Sequence, residues 1–290
     1  MIKHLSQRYL NQEADAAKGK TLSNLQISLL CLSLLVLVHL SIDLYLDKQS
    51  HLMMSVLVWS SIFLLLWEKK ADFISSGNRA TPFLGLVLLS ALLIVSILRP
   101  GEKVIGFFPL VALGSWFLIF IDPSQIKAYL KEFTILLAFG LPKLVPESAF
   151  GLEVPTARFA AFVLHYLNYS VTLVNEIQIQ VPNGIVEVVP ACSGISLMTH
   201  MLSISVIFLC LFPVQKHHFV LLPLIAAALG FVLNGIRVAV LAALSPPAFA
   251  SQFSYWHSAS GASVFVLVAL VLYGAIWACF FRPASPVIKG

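Results

Sequence analysis

Three residues combine reactive side chains with unusual surroundings. Cys192 follows Pro190-Ala191 and begins an apolar run, where the positive end of a helix would favour the nucleophilic thiolate. Arg237 lies inside another apolar run, and an arginine within a membrane span costs about 2.5–3.5 kcal/mol to insert. His257 precedes the last apolar run and has the side chain that most often transfers protons near neutral pH. The set predicts covalent catalysis by a cysteine.

Arg237 and His257 also have plain structural explanations. Arg237 would snorkel to the membrane interface, with Asn234 either holding it by a hydrogen bond or capping a helix break at Gly235. His257 would then belong to an aromatic belt with Tyr255 and Trp256.

Two other histidines compete with His257 for the role of base. His200 follows Cys192 by eight residues, which places it on a similar helix face but about 12 Å deeper. His165 is the other competitor. The remaining cysteines, 31, 210 and 279, lie in apolar runs, where a single cysteine is usually an inert packing residue.

The composition is that of a polytopic membrane protein. Hydrophobic residues make up 59% of the 290 residues, charged residues 11%, and the mean hydropathy is +0.92. The net charge of +5 therefore reflects membrane topology, and a nucleic-acid partner is excluded because no basic patch is interleaved with aromatics. The four cysteines have no CxxC spacing, so we expect no disulfide framework, metal or cofactor.

The positions of the apolar runs predict an all-α membrane protein of about eight transmembrane helices, since one crossing needs about 20 residues. The first span follows the basic N-terminus and has no convincing cleavage site. The predicted spans are 22–42, 52–67, 82–98, 104–121, 128–145, 192–212, 218–244 and 258–281. With the N-terminus inside, twelve Lys and Arg lie on the inner side and five on the outer side, which favours cytoplasmic termini. We treat residues 1–290 as one membrane domain.

Residues 157–174 are apolar enough for a ninth span, which would move Cys192 to the cytoplasmic side. Arg158, His165, Asn168 and Tyr169 favour instead a helix lying at the membrane interface.

Apolar and polar residues alternate along 175–190, which predicts a β-hairpin. We expect a three-residue loop, Pro182-Asn183-Gly184, with Gly184 left-handed. In that register Glu187 lies on the same face as Ile177, Ile179 and Val181. A lone hairpin must lie outside the lipid, because its edge groups would be unsatisfied there.

Span lengths bring the three reactive residues to one depth. The run from Cys192 to Phe212 is about 31 Å of helix, and the return from His218 to Arg237 is about 29 Å. His257 follows a short outer loop. All three are therefore expected near the outer surface.

At these residues the sequence resembles the exosortase/archaeosortase family of membrane cysteine transpeptidases, and most closely its cyanoexosortase branch. The resemblance covers about residues 150–281, whereas residues 1–150 carry no matching motif. The matching residues are Glu187-Val188, Ala191-Cys192-Ser193-Gly194, Asn234-Gly235-Ile236-Arg237 and Tyr255-Trp256-His257 with Gly261.

The resemblance implies Cys192 as nucleophile, Arg237 as oxyanion-side or substrate-orienting cation, and His257 as acid/base. Glu187, Ser193, Gly194 and Asn234 would support the site or bind substrate. The implied substrates are exported proteins ending in a Pro-Glu-Pro-type motif, a transmembrane helix and a basic tail. The implied location is the bacterial plasma (inner) membrane, with the active site on the outer face and no cofactor.

Two other classes stay open on the residues alone. A transporter would use Arg237 to bind an anionic solute without covalent chemistry. A structural membrane subunit would carry no chemistry at all. Solute uptake that survives loss of the Cys192 thiol would identify the transporter.

Overall fold

The computed structural model describes residues 26–46, 49–69 and 80–280. The predicted cytoplasmic ends, residues 1–25 and 281–290, lie outside the described residues, together with much of the charge used to orient the chain. Ten α-helices occur in the described part. They are α1 (Gln26–Tyr45), α2 (Gln49–Glu68), α3 (Ala80–Leu98), α4 (Glu102–Phe120), α5 (Leu130–Gly140), α6 (Glu153–Tyr166), α7 (Ile195–Leu211), α8 (His218–Ala243), α9 (Ala250–His257) and α10 (Ala259–Phe280).

Six of the described helices are long and apolar enough to cross a membrane: α1, α2, α3, α4, α8 and α10. Helix α7 is apolar but has 17 residues, which at 1.5 Å per residue is about 26 Å. These seven helices overlap seven of the eight predicted spans. The chain is therefore an all-α polytopic membrane protein, as predicted.

The predicted fifth span, 128–145, is not one regular α-helix. Residues Pro123–Tyr129 form a 3₁₀ helix, and α5 then runs for only 11 residues before a second 3₁₀ turn, Leu141–Leu144. The 11 residues of α5 reach about 16 Å, and the adjoining 3₁₀ turns, which rise about 2 Å per residue, lengthen the helical segment at both ends. Lys131 and Glu132 oppose insertion, while Gly140 and Pro142 end the helix.

The segment 157–174 does not form one long helix. Helix α6 ends at Tyr166 after 14 residues, about 21 Å, which is too short for a crossing. The chain then turns and forms strand β1 (Thr172–Val174). A ninth span is thereby excluded, and a position at the lipid interface stays a prediction.

A three-stranded antiparallel sheet follows α6, in the order β1, β2 (Gln178–Val181), β3 (Gly184–Glu187). The hairpin was predicted, but β1 was not, because it lies within the segment read as an interfacial helix. Asn175 and Glu176 adopt φ of 48° and 63° in the β1–β2 turn, which lets the chain reverse within three residues.

The register of the hairpin differs from the prediction. Val181 pairs with Gly184, so the loop has two residues, and Asn183 rather than Gly184 is left-handed, with φ of 62°. Pro182 supplies the fixed φ of the first turn position and Asn tolerates the left-handed second position. Glu187 consequently pairs with Gln178, on the face opposite Ile179 and Val181.

The chain divides into two compact units, Met1–Ile42 with Ile62–Phe133, and Asp43–Ser61 with Thr134–Gly290. In the first unit, α3 and α4 pack closely at Gly85, where a Cβ would lie 2.8 Å from the Ser115 carbonyl. Trp116 Nε1 donates to the Ser28 carbonyl at 2.8 Å. Our prediction of a single membrane domain stays a prediction.

The second unit contains all the predicted site residues, so we call it the site unit. Its core lies where α6, α8 and the inner face of the sheet meet, and it buries Ala160, Ile179, Val188 and Ala239. Cys192 packs against this core. Helices α7 and α8 approach closely at Gly230, where a Cβ would lie 2.8 Å from the Met198 Cα.

Candidate active site

A tight turn between β3 and α7 carries Cys192. The Val188 amide donates to the Ile177 carbonyl at 2.9 Å and extends the β ladder beyond β3. Pro190–Cys192 then form one turn of 3₁₀ helix, in which the Cys192 amide donates to the Val189 carbonyl at 2.8 Å. The expectation that Cys192 opens the helix is wrong, because α7 begins at Ile195.

The turn is fixed from two neighbouring helices. Asn234 Nδ2 of α8 donates to the Cys192 carbonyl at 2.9 Å, and Thr156 Oγ1 of α6 donates to the Ser193 carbonyl at 2.7 Å. Ser193 is fully buried. Gly194 has φ of +95°, and a Cβ there would meet Asn234 Nδ2 at 2.8 Å. Ser193, Gly194 and Asn234 thus hold the thiol-bearing turn in place.

This bond assigns Asn234 a partner that neither sequence explanation named. Its amide holds the Cys192 carbonyl rather than capping a break, and α8 continues through Gly235 to Ala243. Gly235 serves packing, since a Cβ there would meet the Phe159 ring at 2.2 Å.

Arg237 and His257 are in direct contact. Arg237 Nη2, from α8, donates to the His257 carbonyl at 3.3 Å. His257 is the last residue of the short helix α9, and its exposed ring stacks on Phe253 with centroids 5.5 Å apart and planes 11° from parallel. Stacking on Phe253 orients the His257 ring, and the hydrogen bond from Arg237 holds the His257 backbone.

Cys192 and His257 line the same cavity, which has a volume of about 280 Å³. Most of its wall is aliphatic or aromatic, from Ile185, Val188, Val189, Val238, Leu241 and Phe253. Glu187 also lines it and accepts a hydrogen bond from Gln178 Nε2 at 3.0 Å. We call this the thiol cavity.

The electrostatic surroundings of Cys192 oppose a free thiolate. Burial raises the pKa of the Cys192 thiol, Arg237 lowers it by attraction, and Glu147 raises it by repulsion, with a net shift upward. The expected helix-terminus stabilisation of the thiolate is therefore not seen. Glu147 lies in the 3₁₀ turn Glu147–Phe150, and sequence reasoning missed it because no motif or periodicity marks that turn.

The competing histidines lie elsewhere. His200 is buried on α7 and lines a second cavity, together with Arg237 and Asn234. His165 is exposed on α6, with its ring 6.3 Å from that of Tyr166. Of the three histidines, only His257 lines the thiol cavity within the described part of the chain.

Fold and cavity together define a class: a multi-pass membrane protein in which a cysteine thiol and an imidazole face one apolar cavity. The family model described as transmembrane exosortase (Exosortase_EpsH) matches residues 46–274, so the chain belongs to the transmembrane exosortase family. The match begins well before residue 150 and thus includes helices in which sequence reasoning recognised no motif. Among curated proteins and among solved structures, nothing matched.

Proposed function

We propose that the protein is a cysteine transpeptidase that processes the C-terminal sorting signal of exported proteins through a thioester on Cys192. The observation that carries the proposal is the shared cavity of Cys192 and His257, with Arg237 bonded to the His257 carbonyl. Family membership supports the same class of reaction. The resemblance to the cyanoexosortase branch and to Pro-Glu-Pro-type signals supplies the finer expectation of substrate.

The first half of the reaction assigns a role to each group. His257 takes the thiol proton of Cys192, which is required because burial holds the pKa of that thiol above its usual range. The sulfur attacks the scissile carbonyl carbon, and the developing oxyanion is stabilised by Arg237. Protonated His257 then gives its proton to the leaving amine as the C–N bond breaks.

The second half returns the enzyme to its starting state. An acceptor nucleophile, deprotonated by His257, attacks the thioester carbonyl. The acyl group passes to the acceptor and Cys192 leaves as the thiolate, which regains the proton from His257. Water as acceptor would give hydrolysis, and an amine or hydroxyl would give transfer.

Replacement of Cys192 by Ala or Ser tests this proposal in cells. Both variants should accumulate the unprocessed precursor at normal enzyme abundance. Cys279→Ala is the matched control, because Cys279 is an exposed thiol on α10 far along the helix from the thiol cavity. Normal processing in Cys192→Ala would refute the enzyme, and solute uptake retained by that variant would favour the transporter.

A second pair of variants tests the choice of base. His257→Gln should stop processing, whereas His165→Gln should leave it unchanged. An inactive His200→Gln with an active His257→Gln would reassign the base to His200.

The proposed topology places both termini in the cytoplasm of the bacterial plasma membrane and Cys192 at the outer face. It rests on the charge bias of the sequence, on the short length of α6, and on a crossing by residues 123–144, in which the first 3₁₀ helix, α5 and the second 3₁₀ turn follow one another without a break. A membrane-impermeant maleimide added to intact spheroplasts should label Cys192. Labelling only after the cells are opened would place the thiol on the cytoplasmic side.

A further inference from the structure

A second cavity, which we call the donor cavity, adjoins the thiol-bearing turn. It lies among the first turn of α7, α8 and α10, and its volume is about 160 Å³. That volume is enough for a small carboxylate head. Ala191 and Gly194, which flank Cys192 and Ser193, both line it.

Two buried nitrogen atoms of residues lining this cavity have no hydrogen-bond partner among the described residues. One is Nε2 of His200, whose side chain is 5% exposed, and the other is Nε of Arg237. Leaving a buried polar group unsatisfied costs about 1–3 kcal/mol. Such a cost is recovered when a ligand supplies the missing partner.

The cavity is also bordered by residues from the N-terminal end of α7. Ser196 and Leu197, in the first turn of α7, line the cavity, and amides of a first turn have no intrahelical acceptor. The N-cap residue, Gly194, has no side chain to occupy them. The helix dipole adds partial positive charge at this end.

The charge at the donor cavity is positive. Arg237 contributes a cation, Lys143 acts electrostatically on His200, and no described residue lining the cavity carries a carboxylate. Leu197, Phe265 and Val266 supply an apolar wall. A ligand with an anionic head of two acceptor oxygens on a short aliphatic stem matches both features.

We propose that the donor cavity is a subsite for an acidic side chain of the substrate peptide, held by Arg237, His200 and the first-turn amides of α7. The assignment to a peptide rests on the proposed function, whereas the carboxylate chemistry rests on the cavity itself. Arg237 then links the two cavities, because it borders the donor cavity and bonds to the backbone of His257 in the thiol cavity.

Sodium propanoate, which carries the carboxylate and a short stem, tests the subsite without a peptide. The full-length protein in nanodiscs is alkylated with iodoacetamide, and Cys192 is followed by peptide mass spectrometry. A carboxylate beside Arg237 offsets the attraction that stabilises the Cys192 thiolate, so propanoate should slow alkylation saturably. Sodium chloride at equal ionic strength should not.

Substitutions at residue 200 separate hydrogen bonding from packing. His200→Leu should raise the half-saturating propanoate concentration about tenfold, as expected for loss of one hydrogen bond to a charged group. His200→Gln keeps an N–H donor and should stay within about threefold of the unsubstituted protein. His165→Leu is the matched control, because His165 lines neither cavity, and it should have no effect.

Three outcomes would overturn the subsite: no saturable protection, equal protection in His200→Leu, or equal loss in His200→Leu and His200→Gln. Tighter protection by inorganic phosphate than by propanoate would make it an inorganic-anion site and overturn the acidic-peptide assignment. The binding assay contains no processing step, so its result is independent of the Cys192→Ala test. Processing that survives Cys192→Ala would refute the transpeptidase and leave a measured carboxylate site standing.

Discussion

Lys69 and Arg237 are basic residues of different units, and their charges are satisfied in different ways. In the first unit, the Lys69 ammonium pairs with the fully buried Glu132 carboxylate, donates to the Ala128 carbonyl and lies 4.8 Å above the Tyr129 ring. In the site unit, Arg237 donates to a backbone carbonyl, and no carboxylate within the described residues pairs with it.

We expect this difference to separate a stabilising cation, Lys69, from a functional one, Arg237. Lys69 has its counter-charge built into its own unit, so removing either partner leaves a poorly solvated charge. Arg237 Nε has no hydrogen-bond partner among the described residues. The guanidinium charge acts on the Cys192 thiol, and Arg237 also lines the donor cavity. We therefore expect substitutions at Lys69 to alter stability and substitutions at Arg237 to alter chemistry.

The largest effect is expected from Arg237→Gln. Loss of the cation should lower precursor processing by about 100- to 1,000-fold, as for loss of an oxyanion donor, with little change in folding. Pulse-chase measurement of precursor conversion, normalised to folded enzyme, gives the rate. Arg158→Gln is the control, because Arg158 is an exposed arginine paired with Glu176 at 2.7 Å. A loss below tenfold would contradict the functional role of Arg237.

The next effect is on stability and belongs to the first unit. Glu132→Leu should destabilise the protein by about 3 kcal/mol, because it leaves the partly buried Lys69 ammonium without its partner. Adding Lys69→Met should recover most of the loss. Thermal unfolding in micelles measures both, and processing per folded molecule should stay unchanged. A double variant no more stable than Glu132→Leu would show that the pair itself is not the cause.

A smaller effect concerns the pH profile of Cys192 alkylation. Burial raises the pKa of the thiol, Arg237 lowers it and Glu147 raises it, so the rate should reach its plateau at higher pH than for an ordinary cysteine. Arg237→Gln should move the midpoint to higher pH, and Glu147→Gln to lower pH. Glu176→Gln, at an exposed position, should leave it in place. Shifts of the opposite sign would contradict the assigned charges.

The smallest effect is expected in the sheet that leads to the thiol. Asn183→Ala should destabilise the protein by about 1 kcal/mol, because alanine is disfavoured at φ of 62°. Asn183→Gly should be near neutral, as glycine adopts that conformation freely. Thermal unfolding compares the two variants. Equal effects would indicate that the left-handed position lies elsewhere in the turn.

Hydrophobic length predicted most of the membrane helices, because a run of about 20 apolar residues has few other stable uses. At 128–145 it did not predict the change from α-helix to 3₁₀ helix, which occurs where Gly140 and Pro142 end α5. The alternation of apolar and polar residues predicted the hairpin, but the predicted register differs from the observed one by one residue. Pro182-Asn183 and Pro182-Asn183-Gly184 are both acceptable loops, and a shift of one residue moved Glu187 to the other face.

The sequence by itself determined the class of fold and the expectation that Cys192, Arg237 and His257 lie at one depth, since both follow from helix rise and composition. Only the tertiary structure decided which atoms meet: Arg237 with the His257 carbonyl, Asn234 with the Cys192 carbonyl, and Glu147 near the thiol. It also decided that His200 borders a separate cavity of donors. The depth of a residue in the membrane follows from its position along one helix. Contacts between side chains depend on how several helices rotate and pack, and no single run of sequence encodes that packing.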